Sequence, residues 1–287
     1  QSILLVEVCL LIFVGLLLLL SVYYLPIWLS AVLFGGSVVG VVAVGFIRPL
    51  SGQSLWDPAS RDTTVLSQAE KAHLVMKKAP GYMLLNHVNA GTVSQRDHQI
   101  AIRVQLIAAI YHLHRHDIVY RDMKPENAFY DLATKKLKVM DFGSSAIIPQ
   151  GQTDDVFAGT PEYIAPEMLG KRVPTHDRSV DIWQLGVMMT EIKTGYCPFS
   201  SSVYSDDVFD NIQAYSSVEK PGRQQASNVF GQLKRNDPEL HKVVSWMMQR
   251  DPAKRPTIND VVAHTTVQKW IREAGFTNKM DKYFPKF

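Results

Sequence analysis

Residues 118–131 read IVYRDMKPENAFYD, an apolar pair followed at once, up to residue 127, by an arginine, two acids, a lysine and an asparagine. A stretch so dense in hydrogen-bonding groups is either a charged loop kept in water or a catalytic loop held against a buried helix. Its flanks help to decide. Upstream, HQIAIRVQLIAAIYHLH (98–114) sets Ile102, Leu106, Ile110 and Leu113 at helical spacing. Downstream, short strands are expected at about Ala128–Tyr130 and Leu137–Met140, joined by DLATKK, followed by Asp141-Phe142-Gly143. A buried helix, a polar loop and a strand pair in this order favour the second reading.

Composition limits the function classes. The chain has 287 residues, 46% apolar and 20% charged, which suits one large domain or two modest ones. A net charge of +3 with dispersed lysines and arginines argues against a nucleic-acid partner. Its two cysteines, Cys9 and Cys197, offer no disulfide framework and no CxxC pair, in keeping with a reducing compartment. The alternating His112, His114 and His116 point in different directions on a helix and do not converge as metal ligands.

The run from Val8 to Ile47 contains no Asp, Glu, Lys, Arg or His. A span needs roughly 20 apolar residues, so the run suits a transmembrane helical hairpin, about Val8–Leu25 and Ile27–Ile47, broken near Pro26; one long tilted span is the alternative. Tyr23, Tyr24 and Trp28 would sit at the interface. Arg48 and a surplus of basic residues over 48–81 give the expectation of a membrane protein whose soluble part is cytoplasmic.

Further motifs follow in order: GTPEYIAPE (159–167), DIWQLGV (181–187) and RDPAKRPT (250–257). With YRDMKPEN and DFG, the sequence resembles a eukaryotic protein kinase over about Tyr82–Phe276, the hinge and carboxy-terminal lobe, on the branch related to cyclic-nucleotide-dependent kinases. The resemblance implies a serine/threonine kinase that transfers the γ-phosphate of ATP, with magnesium, to a Ser or Thr hydroxyl of a protein. Such chemistry needs positioning and charge neutralisation above all. By resemblance Asp122 is the base that accepts the hydroxyl proton, Lys124 stabilises the transferring phosphate, and Asn127 and Asp141 hold magnesium. Thr160 helps position the base and lysine. Arg121 usually reads a phosphorylated residue of the activation segment, but the position four before Thr160 is Val156. Asp154 and Asp155 could offer standing charge instead, although solvated acids are the plainer reading. Glu167 would pair with Arg255, and Asp181 would accept hydrogen bonds from the catalytic-loop backbone. Trp183, Leu185, Met188 and Met189 read as core.

The amino-terminal lobe departs from the family. Only residues 48–81 lie between Ile47 and Tyr82, and no GxGxxG occurs anywhere. Lys77 in LVMK resembles the strand lysine that contacts the nucleotide, although a surface basic pair with Lys78 is the plainer reading, and Glu70 precedes it, the wrong order for the family's ion pair. The short interval from Val88 to Tyr120 leaves little room for a helix after the hinge.

The expected fold is therefore α+β and kinase-like: a membrane segment at 1–47, a linker or remnant of the upper lobe at 48–81, a hinge and mainly helical lower lobe at 82–276, and a tail at 277–287. Expected partners are ATP, a protein substrate and a membrane. A membrane-anchored pseudokinase or scaffold, or an inactive fragment, is the alternative. Beyond the segments above, helices are expected at Ser179–Ile192, Glu239–Met248 and Thr257–His264.

Overall fold

The computed structural model describes residues 79–169, 175–200 and 205–275. Strand β1 (Tyr82–Met83) leads into α1 (Leu84–Asn89) and the long α2 (Arg96–Arg115). Then come β2 (Ile118–Val119), β3 (Ala128–Asp131), β4 (Lys136–Val139) and β5 (Ala146–Ile147). The remainder is helical: α3 (Ser179–Thr194), α4 (Ser205–Ala214), α5 (Gln224–Asn236), α6 (Pro238–Met247), α7 (Ile258–Ala263) and α8 (Thr265–Glu273).

Helix α3 is the centre of the core because it has almost no polar face. Val180, Ile182, Trp183, Leu185, Val187, Met188 and Met189 are all buried, and a helix apolar all round can be stable only when enclosed. Trp183 stacks on Phe199 with centroids 5.7 Å apart and meets Tyr215 edge-on at 5.1 Å. The helix stops at Gly195, whose left-handed φ of 82° suits a residue without a side chain. Helix α2 packs beside it, burying Ile102, Leu106, Ile110 and Leu113 as its periodicity predicts. Its buried Arg103 donates to Asp237 at 2.7 Å and lies over the Trp270 ring. Asp237 in turn caps α6 by accepting the Leu240 amide at 3.0 Å. At α7, Thr257 and Asp260 form a reciprocal capping box just after Pro256.

Two small antiparallel sheets frame the polar loop. One has the order β1-β3-β4 with Ala128 opposite Val139; the other pairs β2 with β5, Val119 opposite Ala146. The polar stretch at 120–127 thus leaves one sheet and enters the other, and both its ends are fixed by backbone pairing.

Several local expectations change. GYMLLNHV reads as a strand, yet only Tyr82 and Met83 pair, and Leu84–Asn89 is helical. Leu84, His87 and Val88 bury one helical face, and His87 Nε2 donates to the Tyr130 carbonyl at 3.0 Å; a short apolar run does not reveal this by periodicity. This helix begins at Leu84, ahead of the interval from Val88 to Tyr120, and between Asn89 and Arg96 there is no further helix. Strands β2 and β5 are additional to the expected elements, and α4, α5 and α8 fall in the stretch after Pro166 that reads as helical without being placed individually.

The membrane hairpin and the segment 48–78, with Lys77 and Glu70, lie outside the described residues. Among the described residues no helix is long and apolar enough to cross a membrane.

The late lobe is bolted by one ion pair. Arg255 donates to both Glu167 carboxylate oxygens at 2.6 Å, and to the Gln249 carbonyl at 2.8 Å. The Arg255 side chain is fully buried and that of Glu167 is 9% exposed. Removing one partner leaves a buried charge alone, so Glu167→Ala is expected to cost about 3–5 kcal/mol, read as a lower urea midpoint in equilibrium unfolding.

Candidate active site

The polar loop takes its shape from a buried carboxylate on α3. Asp181 is fully buried; its Oδ2 accepts the Tyr120 amide and its Oδ1 the Arg121 amide, both at 2.8 Å. His114 of α2 lies 2.8 Å from the same Oδ2. One turn on, Gln184 donates to the Arg121 carbonyl at 2.8 Å and accepts the Met123 amide at 3.0 Å. Two side chains of one helix therefore hold the backbone of Tyr120, Arg121 and Met123, and this bracing sustains a left-handed φ of 67° at Arg121, a conformation costly for a residue with a side chain.

The functional groups converge on the Asp122 carboxylate. Thr160 donates to its Oδ1 at 2.6 Å, and Asn127 Nδ2 donates to its Oδ2 at 2.7 Å. Lys124 Nζ lies 3.1 Å from that Oδ2 and donates to the Thr160 hydroxyl at 2.6 Å. Thr160 is brought there by Gly159, where a Cβ would stand 2.5 Å from the Arg121 carbonyl oxygen and where φ is +112°. Only glycine permits this crossing.

Asp141 belongs to the same neighbourhood. The Met140 amide donates to the Asn127 carbonyl at 2.8 Å, and the buried Tyr120 hydroxyl donates to the Met140 carbonyl. Burial pushes the Tyr120 phenol up, and the nearby charges of Asp122 and Asp141 push it further. Both carboxylates thus act on one hydroxyl. Asp141 has φ of 54°, an exposed side chain, and an Oδ1 that accepts the Gly143 amide at 3.1 Å.

Arg121 itself points away from this centre. Its Nε donates to the Ser144 carbonyl at 2.5 Å and its Nη1 to Asp154 Oδ2 at 2.6 Å. Asp154 is therefore a partner and not a solvated acid, whereas Asp155 is exposed. His114, Gln184 and Ser144 complete the arrangement without having been singled out as parts of it. For Gln184 a signal was present: a polar residue three after Asp181 on an otherwise apolar helix. Of the three alternating histidines, His114 meets Asp181 while His116 Nδ1 donates to the His112 carbonyl at 2.8 Å. Lys77 lies outside the described residues.

The protein kinase domain profile matches residues 61–267, well over half of the sequence. The chain belongs to the protein kinase family. Sperm motility kinase 2B of Mus musculus is 30% identical over 211 residues, 74% of this chain. CBL-interacting serine/threonine-protein kinase 12 of Arabidopsis thaliana is 30% identical over 224 residues, 76% of this chain. The aligned part spans about two fifths of these relatives, 40% and 42% of their lengths. The match begins at Arg61, inside the segment read as linker or remnant.

A further buried carboxylate, Glu191 of α3, lies beside the segment that carries Thr160. The Tyr163 hydroxyl donates to Glu191 Oε2. Burial pushes the Glu191 carboxyl up to about 7, the Tyr163 hydrogen bond opposes this, and Glu126 and Glu162 add to it. A carboxyl whose folded pKa is raised stabilises the fold below its unfolded pKa and loses that contribution as pH rises through the folded value. Glu191→Gln should therefore raise the melting temperature relative to wild type at pH 8 and gain least at pH 5, measured by differential scanning calorimetry.

Proposed function

We propose that the chain transfers the γ-phosphate of ATP to a serine or threonine hydroxyl of a protein. The observation that carries this reading is the convergence of Thr160, Lys124 and Asn127 on Asp122 within 2.6–3.1 Å. A carboxylate held by three donors is fixed in direction, as a group must be that orients a hydroxyl and receives its proton. Lys124, already beside that carboxylate, supplies the positive charge that offsets a phosphoryl group in transfer. Thr160 keeps the lysine and the aspartate in register.

The donor set for magnesium is chemically apt. Asn127 commits its Nδ2 to Asp122, which leaves its amide oxygen as ligand, and exposed Asp141 offers a carboxylate. These are hard oxygen donors, the kind magnesium takes. Among the described residues no group of three or more His, Cys, Asp or Glu could hold a metal alone, so the ion would enter with the nucleotide, whose phosphates complete its shell. When bound, magnesium neutralises the phosphate charge. Membrane attachment through Val8–Ile47 is supported by the apolar run alone.

The scaffold reading predicts no nucleotide response, so two measurements separate the cases. A ligand that binds the native state raises its melting temperature by mass action, and ATP with magnesium should do so here, more than ATP with a chelator. Transfer of labelled phosphate to a basic protein mixture should fall by on the order of a thousandfold or more in Asp122→Asn, since a residue acting in the transition state costs that much. An unshifted melting temperature together with equal transfer by wild type and Asp122→Asn would favour the scaffold.

A further inference from the structure

The Arg121 guanidinium poses a problem of charge. The residue is 5% exposed, and a buried cation without a carboxylate partner is strongly destabilising. In the resembling family that partner is usually a phosphate on the activation segment, and the corresponding position here, Val156, has no hydroxyl. Asp154, two residues earlier, is the carboxylate in contact. Its backbone is tied as well: the Asp154 amide donates to the His176 carbonyl at 2.8 Å, and the His176 amide donates back at 2.9 Å. The far side of that bridge is anchored by Arg178, which donates to the Ile148 carbonyl at 3.0 Å and to Asp117 at 2.8 Å. Arg121 thus joins the loop that carries Asp122, the residue three after Asp141, and the activation segment.

We propose that Asp154 is a built-in acid that holds Arg121, and through it the activation segment, in the working arrangement with no phosphate on the segment. Asp154 is a positioning residue: its carboxylate is on Arg121, and it acts through Arg121 on the neighbouring Asp122. As regulation of the site this rests on the kinase reading above, but its structural half stands apart from activity. The nearby hydroxyl of Thr153 is exposed and is the place where a competing phosphate would be added.

The test uses the full chain after phosphatase treatment, with the unphosphorylated mass verified. Hydrogen exchange should find the Asp154 and His176 amides protected in wild type and in Asp155→Asn, and tenfold or more less protected in Asp154→Asn. Phosphate transfer should fall on the order of 10- to 100-fold in kcat for Asp154→Asn, with the KM for ATP little changed and partial recovery in Asp154→Glu. Arg121→Gln combined with Asp154→Asn should be no slower than Arg121→Gln alone, the signature of a coupled pair. Unprotected amides in the dephosphorylated protein, equal exchange in Asp154→Asn and wild type, or gains in protection and rate on phosphorylation that vanish in Thr153→Val would each overturn the proposal. A wild type that transfers no phosphate but shows the expected exchange pattern would remove the kinase reading and leave the built-in acid supported.

Discussion

Everything at the candidate site leans on a single carboxylate removed from water. Asp181 is fully buried and receives two successive backbone amides and an imidazole. Burying an isolated ionised carboxylate is prohibitive, so it must be satisfied by several donors; the catalytic loop is what satisfies it. The dependence runs both ways. The amides of Tyr120 and Arg121 would otherwise lack partners in a dry interior, and the left-handed turn at Arg121 would have nothing to hold it. The apolar surround of α3 makes the interaction strong because water cannot compete for either side.

From this point rigidity spreads in two directions. Gln184 extends the hold to Met123, so the backbone around Asp122 is fixed before any side chain is considered. The Glu167–Arg255 pair does the same for the far end of the segment that delivers Thr160, and Arg255 also lies over the Trp183 ring of α3 at 5.2 Å. Both arms thus return to one helix. The donors around Asp122 can be held within a few tenths of an ångström only because loop and segment are referenced to the same rod, as a preorganised charge constellation requires.

Much of the lower lobe was legible because its signals are local. Short strands were expected where β3 and β4 lie, apolar periodicity located α2 and α3, and Pro256 beside Thr257 marked α7. Short ordered motifs likewise pointed to Asp122, Lys124, Asn127, Thr160 and Asp181, which the fold brings together. What escaped depends on distant partners. Leu84–Asn89 is helical because His87 finds the Tyr130 carbonyl, 43 residues on. Strand β5 exists only as the partner of β2, and two residues carry no period of their own. Asp154 looked like one solvated acid among others, since nothing in its neighbours in sequence announces a buried arginine 33 residues earlier. The polar Gln184 was readable in principle, hidden by its setting in an apolar helix.

The crossing at Gly159 has a consequence for how such a segment can diversify. Because backbone meets backbone there, with a φ that other residues resist and the Arg121 carbonyl where a Cβ would go, that position tolerates no change. Residues shortly before it are under no such constraint: Phe157 is 51% exposed and Asp155 also faces water. Variation is thus channelled to outward-facing sites on the amino-terminal side of one immovable pin, and that exposed surface can drift while the groups around Asp122 stay in register.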